Sequence, residues 1–286
     1  MLQEVKDLGF EYAELSHGIR ISLLPGIIDA VDAGLIKISS LHNFCPLPIG
    51  VNFAAPNIFK FSSPDARERE NAYRYTLKTL DTAVRVKAPL VVLHLGNIDM
   101  KGYPDRLIEW AEKGLCGTPK YERLCEEINE KRERKKEKSV ALMVEMVRRL
   151  AEQAEVRHLT LGVENREQVE EIPLDQDFPF FFKEFVSPAV AYWHDTGHAQ
   201  IKENLGFINH NLHLETLADR LAGFHIHDVE FPAHDHLPPG QGTLDFAALK
   251  AYVKPEHLKV FELGPHVPVE QLRQGVNYLQ SIWGNE

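Results

Sequence analysis

Cysteine is scarce in this chain. Cys45, Cys116 and Cys125 form an odd, irregularly spaced set, which excludes a disulfide-stapled scaffold and fits a reducing compartment. Cys45 reads as a small buried filler. No apolar run approaches the roughly 20 residues that a membrane span needs. The first ten residues carry Glu4, Lys6 and Asp7 rather than the apolar core of a signal peptide, so the expected location is cytoplasmic. Positive charge is also short: 32 Lys and Arg stand against 42 Asp and Glu, a formal net charge of -10. That balance argues against a general affinity for nucleic acid, which depends on clustered cations neutralising phosphates. The one basic run, residues 131–138, is interleaved with Glu133 and Glu137 and suits the solvated face of a helix. Internal repeats and low-complexity linkers are missing too, so the 286 residues are read as one domain, 1–286, the length of an α/β barrel.

What is present is a soluble globular composition, 44% hydrophobic and 26% charged. Short β-branched apolar runs alternate with amphipathic stretches, the pattern of βα units around a parallel sheet. Strands are expected at Tyr12–Leu15, Ile36–His42, Leu90–His94, Leu159–Glu164, Ala189–Asp195, Gly223–His227 and Lys259–Leu263. Seven is one fewer than a closed (β/α)8 TIM barrel uses, and Leu2–Leu8 already reads as the helix ahead of the Tyr12 strand. The expected fold is therefore such a barrel with its first strand lacking or truncated, the native chain beginning upstream of Met1. Ser63, Pro64 and Asp65 open a helix from Arg67 to Val86, and Pro89 marks its end. The long connection from His94 to Leu159 is where a barrel enzyme places a lid or a partner surface.

Nine side chains able to bind a metal fall at or just beyond these strand ends: His42, His94, Glu164, Asp195, His198, His225, His234, His236 and Glu262. In a parallel barrel the last inward residue of each strand points into the mouth at the C-terminal end. One His or Glu at such a place is commonly a hydrogen-bonded structural group or the partner of a lysine. Several buried together are costly unless a cation compensates them. Mixed imidazole and carboxylate donors suit Mn, Zn, Co or Fe. With no cysteine among them, an open catalytic site is expected rather than a structural zinc.

In the segment from Trp193 to His198, Asp195 ends the strand, Gly197 permits a sharp turn, and His198 returns to the same mouth. His194 should face the helical layer. His225 and His227 share one strand face, His225 being the better ligand candidate, and Asp228 is placed to orient an imidazole. Residues 234–242, rich in Pro and Gly, read as a stiff loop.

The motifs Ser40-Leu41-His42-Asn43, Leu93-His94-Leu95-Gly96, Gly162-Val163-Glu164-Asn165, the Asp195 to His198 turn, His225-Ile226-His227-Asp228, the Pro238 to Gly242 loop and Phe261-Glu262-Leu263 together resemble the xylose isomerase-like TIM-barrel superfamily. That superfamily holds sugar isomerases and epimerases, inosose dehydratases and endonuclease IV (AP endonuclease family 2). Resemblance to its ketose 3-epimerases implies one divalent ion on Glu164, Asp195, His225 and Glu262, with His198 touching substrate. It also implies that Glu164 and Glu262 exchange a proton through a cis-enediolate, with no organic cofactor. Resemblance to endonuclease IV implies more: His42, His94, Glu164, Asp195, His198, His225, His236 and Glu262 match its three-zinc cluster, and His234 stands where that family has aspartate. His227 is a further candidate for metal or substrate.

Two departures matter. The arginine that 3-epimerases carry shortly after their metal-binding histidine is missing from residues 228–232, and no basic, aromatic DNA-penetrating loop is evident. The expected activity is a metal-dependent sugar or sugar phosphate isomerase or epimerase. A phosphodiesterase, a carbohydrate lyase or dehydratase, and a non-catalytic metal or sugar binder stay open as alternatives on the same barrel. The expected partner is a small carbohydrate, with no membrane, nucleic acid unlikely, and a homo-oligomer compatible.

Overall fold

A computed structural model describes residues 1–100, 102–185 and 187–284. The chain folds as two compact, interleaved units. The first comprises 1–97, 138–164 and 180–191; the second comprises 98–137, 165–179 and 192–286.

The first unit is built on four parallel strands, β1 (Tyr12–Leu15), β2 (Lys37–His42), β3 (Leu90–Leu93) and β4 (Thr160–Glu164). The wholly apolar β3 suits a strand covered on both faces, and all four of its residues are buried. Register sets the height of each strand end. His42 pairs with Val92 and Leu93 with Val163, so the next residues on β3 and β4, His94 and Glu164, come level. The helix Ala66–Val86 begins as expected, its N-cap Asp65 accepting from Arg67 N, and ends at Lys87 in the left-handed region, two residues before Pro89. Its Thr76 and Thr79 hydroxyls clamp the Asn43 carboxamide, each at 2.9 Å. That grip fixes the chain just beyond His42.

In the second unit β5 (Val190–Asp195) from Tyr192 onward, β6 (Leu221–Ile226) and β9 (Leu258–Phe261) run parallel, with Asp195 opposite His225 and His225 opposite Val260. The Glu262 amide continues the ladder by donating to Ile226 O at 3.2 Å. The parallel strands among the described residues thus number seven, each overlapping an expected one, and Leu2–Asp7 ahead of β1 is helical.

Two expectations are corrected. Residues 234–242 do not begin as a loop. His234–Leu237 (β8) pairs antiparallel with Asp228–Glu230 (β7) around the Phe231-Pro232 turn. Pro and Gly first dominate at Pro238, and the alternating polar stretch before it can form a ladder. The long connection after His94 is not a free lid at its start, since Leu107, Ala111, Tyr121, Leu124 and Ile128 pack on Ile201, Leu205 and Val229. Helical spacing puts Leu107 and Ala111 on one buried face of the helix Pro104–Glu112 and Tyr121, Leu124 and Ile128 on one buried face of the next. The basic run lies in the helix Pro119–Val156, where Lys136 pairs with Asp177. Arg132 is buried, however, and faces the Phe207 ring, so that helix face is only partly solvated.

Candidate metal centre

In the first unit His42, His94 and Glu164 are all buried and converge. Glu164 Oε2 lies 2.7 Å from His94 Nε2 and 3.6 Å from His42 Nε2. The two Nε2 atoms are 3.1 Å apart. Each ring is held from its far side: His42 Nδ1 donates to Asn43 O and His94 Nδ1 to Asn57 Oδ1, both at 2.9 Å. A proton on Nδ1 leaves the Nε2 lone pair directed at the carboxylate, the arrangement in which outer partners prepare histidines for a cation. Two lone pairs at that spacing repel unless a proton or a metal ion lies among them.

In the second unit Asp195 ends β5 and caps the helix Thr196–Asn204, its Oδ1 accepting from His198 N at 2.7 Å. Asn165 fixes the Asp195 backbone, accepting from its amide at 2.7 Å and donating to its carbonyl at 3.0 Å. Parallel register sets His225 beside Asp195. His225 Nδ1 is 3.0 Å from Glu262 Oε2 and 4.0 Å from Asp195 Oδ2. Asp195 and His225 are fully buried, whereas the Glu262 side chain keeps 30% exposure, so it meets solvent while the others are sealed. This donor set fits a divalent ion of the Mn, Zn, Co or Fe kind.

His198 Nδ1 sits 3.4 Å from Asp195 Oδ2 and 3.2 Å from both Arg166 Nη1 and Asn165 O. The buried His227 lies with Nε2 at 3.0 and 3.2 Å from the Asp195 oxygens. His236 stacks on it, rings 4.4 Å apart and parallel within 3°, and pairs with Asp235 at 3.0 Å. Burial opposes charge on His236, but its hydrogen bond to Asp235 and the surrounding carboxylates carry it up to about 9. His234 is exposed, opposite Glu230, and neither it nor His236 belongs to a metal-capable group among the described residues.

Asp228 corrects an expectation. Its carboxylate accepts from the amides of Val229, Gly240, Gly242 and Leu244 at 2.8–3.1 Å, so it organises the Pro238 to Leu244 loop rather than an imidazole. His194 faces away from the cluster, hydrogen bonded to Tyr192 and His210.

Sequence reasoning missed Glu167, which joins His198 and Asp235 in a further convergent group. Burial raises the Glu167 carboxyl above its ordinary value despite Arg166. Its only signal was its place three residues after Glu164. A cavity of about 270 Å³ bordered by Asp175, Phe207, His213 and Leu217 contains none of the expected site residues.

Comparison with known proteins places these observations. A family model described as xylose isomerase-like TIM barrel matches residues 2–282. Among solved structures, 3-keto-D-glucoside 4-epimerase from E. coli superposes with a TM-score of 0.67 at 14% identity, over 98% of this chain and 92% of that one. A D-tagatose 3-epimerase-like protein gives 0.66 at 15%, covering 98% and 93%. D-psicose 3-epimerase from Clostridium cellulolyticum H10, solved with D-tagatose, gives 0.64 at 15%, covering 99% and 92%. The shared fold is the α/β TIM barrel. No curated protein matches the sequence.

Proposed function

Because the chain belongs to the xylose isomerase-like TIM-barrel family, we propose that it is a metal-dependent sugar or sugar phosphate isomerase or epimerase. Asp195, His225 and Glu262, gathered at the ends of neighbouring strands, carry this reading, and Glu164 completes the proposed ligand set. The epimerase identity of the superposed proteins supports a carbohydrate substrate. A bound divalent ion would polarise a carbonyl and its adjacent hydroxyl, making the C–H of the hydroxyl-bearing carbon acidic.

Glu164 and Glu262 are the proposed acid and base. One would remove that proton and the other would deliver a proton of its own to the cis-enediolate, either to the opposite face or to the neighbouring carbon. The Glu262 side chain, partly open to solvent, is able to meet a substrate hydrogen. Glu164, sealed and held by His94, is kept in one orientation. The test is proton exchange from solvent into a ketose panel by metal-loaded protein. Glu164→Gln and Glu262→Gln should each slow exchange by about 10²-fold or more, and full exchange in both variants would refute the mechanism.

A second reading, an endonuclease IV-like phosphodiesterase, is favoured by one observation. His42, His94 and Glu164 form a convergent group of their own, more than a single-ion isomerase needs. Scission of abasic-site DNA without turnover of any sugar would establish it, against the electrostatic handicap of a net charge of -10. A lyase or dehydratase would instead reveal itself by releasing water from the same sugars.

A further inference from the structure

We infer that His227 is a positioning residue for Asp195, with its proton held on Nε2 by a backbone amide, and is not itself a metal ligand. The inference rests on the reading of Asp195 as a ligand. His236 N donates to His227 Nδ1 at 2.9 Å. An amide N–H has no alternative role, so Nδ1 must offer its lone pair and the ring proton goes to Nε2. Nε2–H then faces both oxygens of the Asp195 carboxylate at 3.0 and 3.2 Å. Neither nitrogen keeps a lone pair for a metal.

Three further contacts hold the residue, one at its backbone and two at its ring. The Thr196 hydroxyl donates to His227 O at 2.8 Å and accepts from His227 N at 3.1 Å. The His236 ring covers one face in parallel. On another side the ring abuts Gly197 so closely that a Cβ there would fall 1.9 Å from His227 Cε1. Gly197 thus serves the expected turn less than it serves the imidazole laid against it. Asp195 in consequence receives one donor from the His198 amide and one from His227, which fixes its plane and leaves His225 Nδ1 on the approach to Oδ2. Partners of this kind on a metal-binding carboxylate are commonly worth about 10- to 100-fold in metal affinity.

The test begins with Mn(II) or Zn(II) titrated into chelator-stripped wild-type protein against a chromophoric competitor. Failure to bind there would overturn the metal reading itself, independently of His227. Given wild-type binding, His227→Leu should weaken affinity about 10- to 100-fold and His227→Gln, which keeps an N–H donor, should recover most of the loss. Wild-type affinity in His227→Leu, or equal losses in both variants, would overturn the inference. Should His227→Leu not fold, nitrogen-15 spectra of wild-type histidines decide, the His227 signal being assigned by its loss in His227→Gln. A proton on Nε2 with and without metal is the expected result, and a metal-shifted, unprotonated Nε2 would show direct ligation.

Discussion

The Nε2 atoms of His42 and His94 face one another at 3.1 Å, with Nδ1 of each ring already committed to an oxygen. Something positive has to share that space with Glu164: a proton or a metal ion. The two should compete. Metal affinity is expected to fall as pH is lowered, with protons released on binding. Calorimetric titration in buffers of different ionisation enthalpy measures that release, and His94→Ala should reduce it. Adding metal at about a hundred times its Kd should raise stability by about 2.7 kcal/mol over the stripped protein.

Gly197→Ala is expected to destabilise the protein, because its new methyl would meet a ring held on several sides. Overpacking of this kind costs about 1–3 kcal/mol. Urea denaturation of metal-free protein gives the number, and an unchanged midpoint would mean that His227 can move aside.

Asp228→Ala removes one acceptor from four amides at once. A charged acceptor with several donors is worth roughly 1.5–3 kcal/mol per bond lost without replacement at the strong end, though solvent will re-pair part of this loop. The local signature is faster hydrogen exchange at Gly240, Gly242 and Leu244. Asp228→Asn, keeping one acceptor oxygen, should fall between wild type and alanine.

The Asp235 and His236 pair adds a pH dependence. The His236 value is raised to about 9 in the fold from about 6.5 in the unfolded chain. Its contribution is therefore complete below about pH 6.5 and disappears as pH rises through 9. Melting of chelator-treated protein should show a decline over that window, and His236→Gln should flatten it.

The strands were legible because short apolar runs bounded by helical stretches leave little choice, and β3 occupies Leu90–Leu93 within the expected Leu90–His94. The convergence of His42, His94 and Glu164 could be read from strand ends alone, since parallel pairing brings such ends to one level. What was not legible depends on contacts across the chain. Asp228 looked like an imidazole partner, being next to His227, yet it serves amides 12 to 16 residues away. Nothing local in the sequence shows that His236 N would pin His227, because that bond requires the β7 and β8 hairpin to have formed. Glu167 lies beyond the end of its strand, and its approach to His198 and Asp235 depends on how the following loop folds.

Asp195 also starts a helix. One oxygen of its carboxylate receives the His198 amide and the other faces His225, so chemistry and architecture draw on the same carboxylate, and alanine at this position would erase both together. Asparagine would keep an oxygen for the cap while surrendering the negative charge. A helix that stays intact while metal is lost would separate the anchor from the electrostatics.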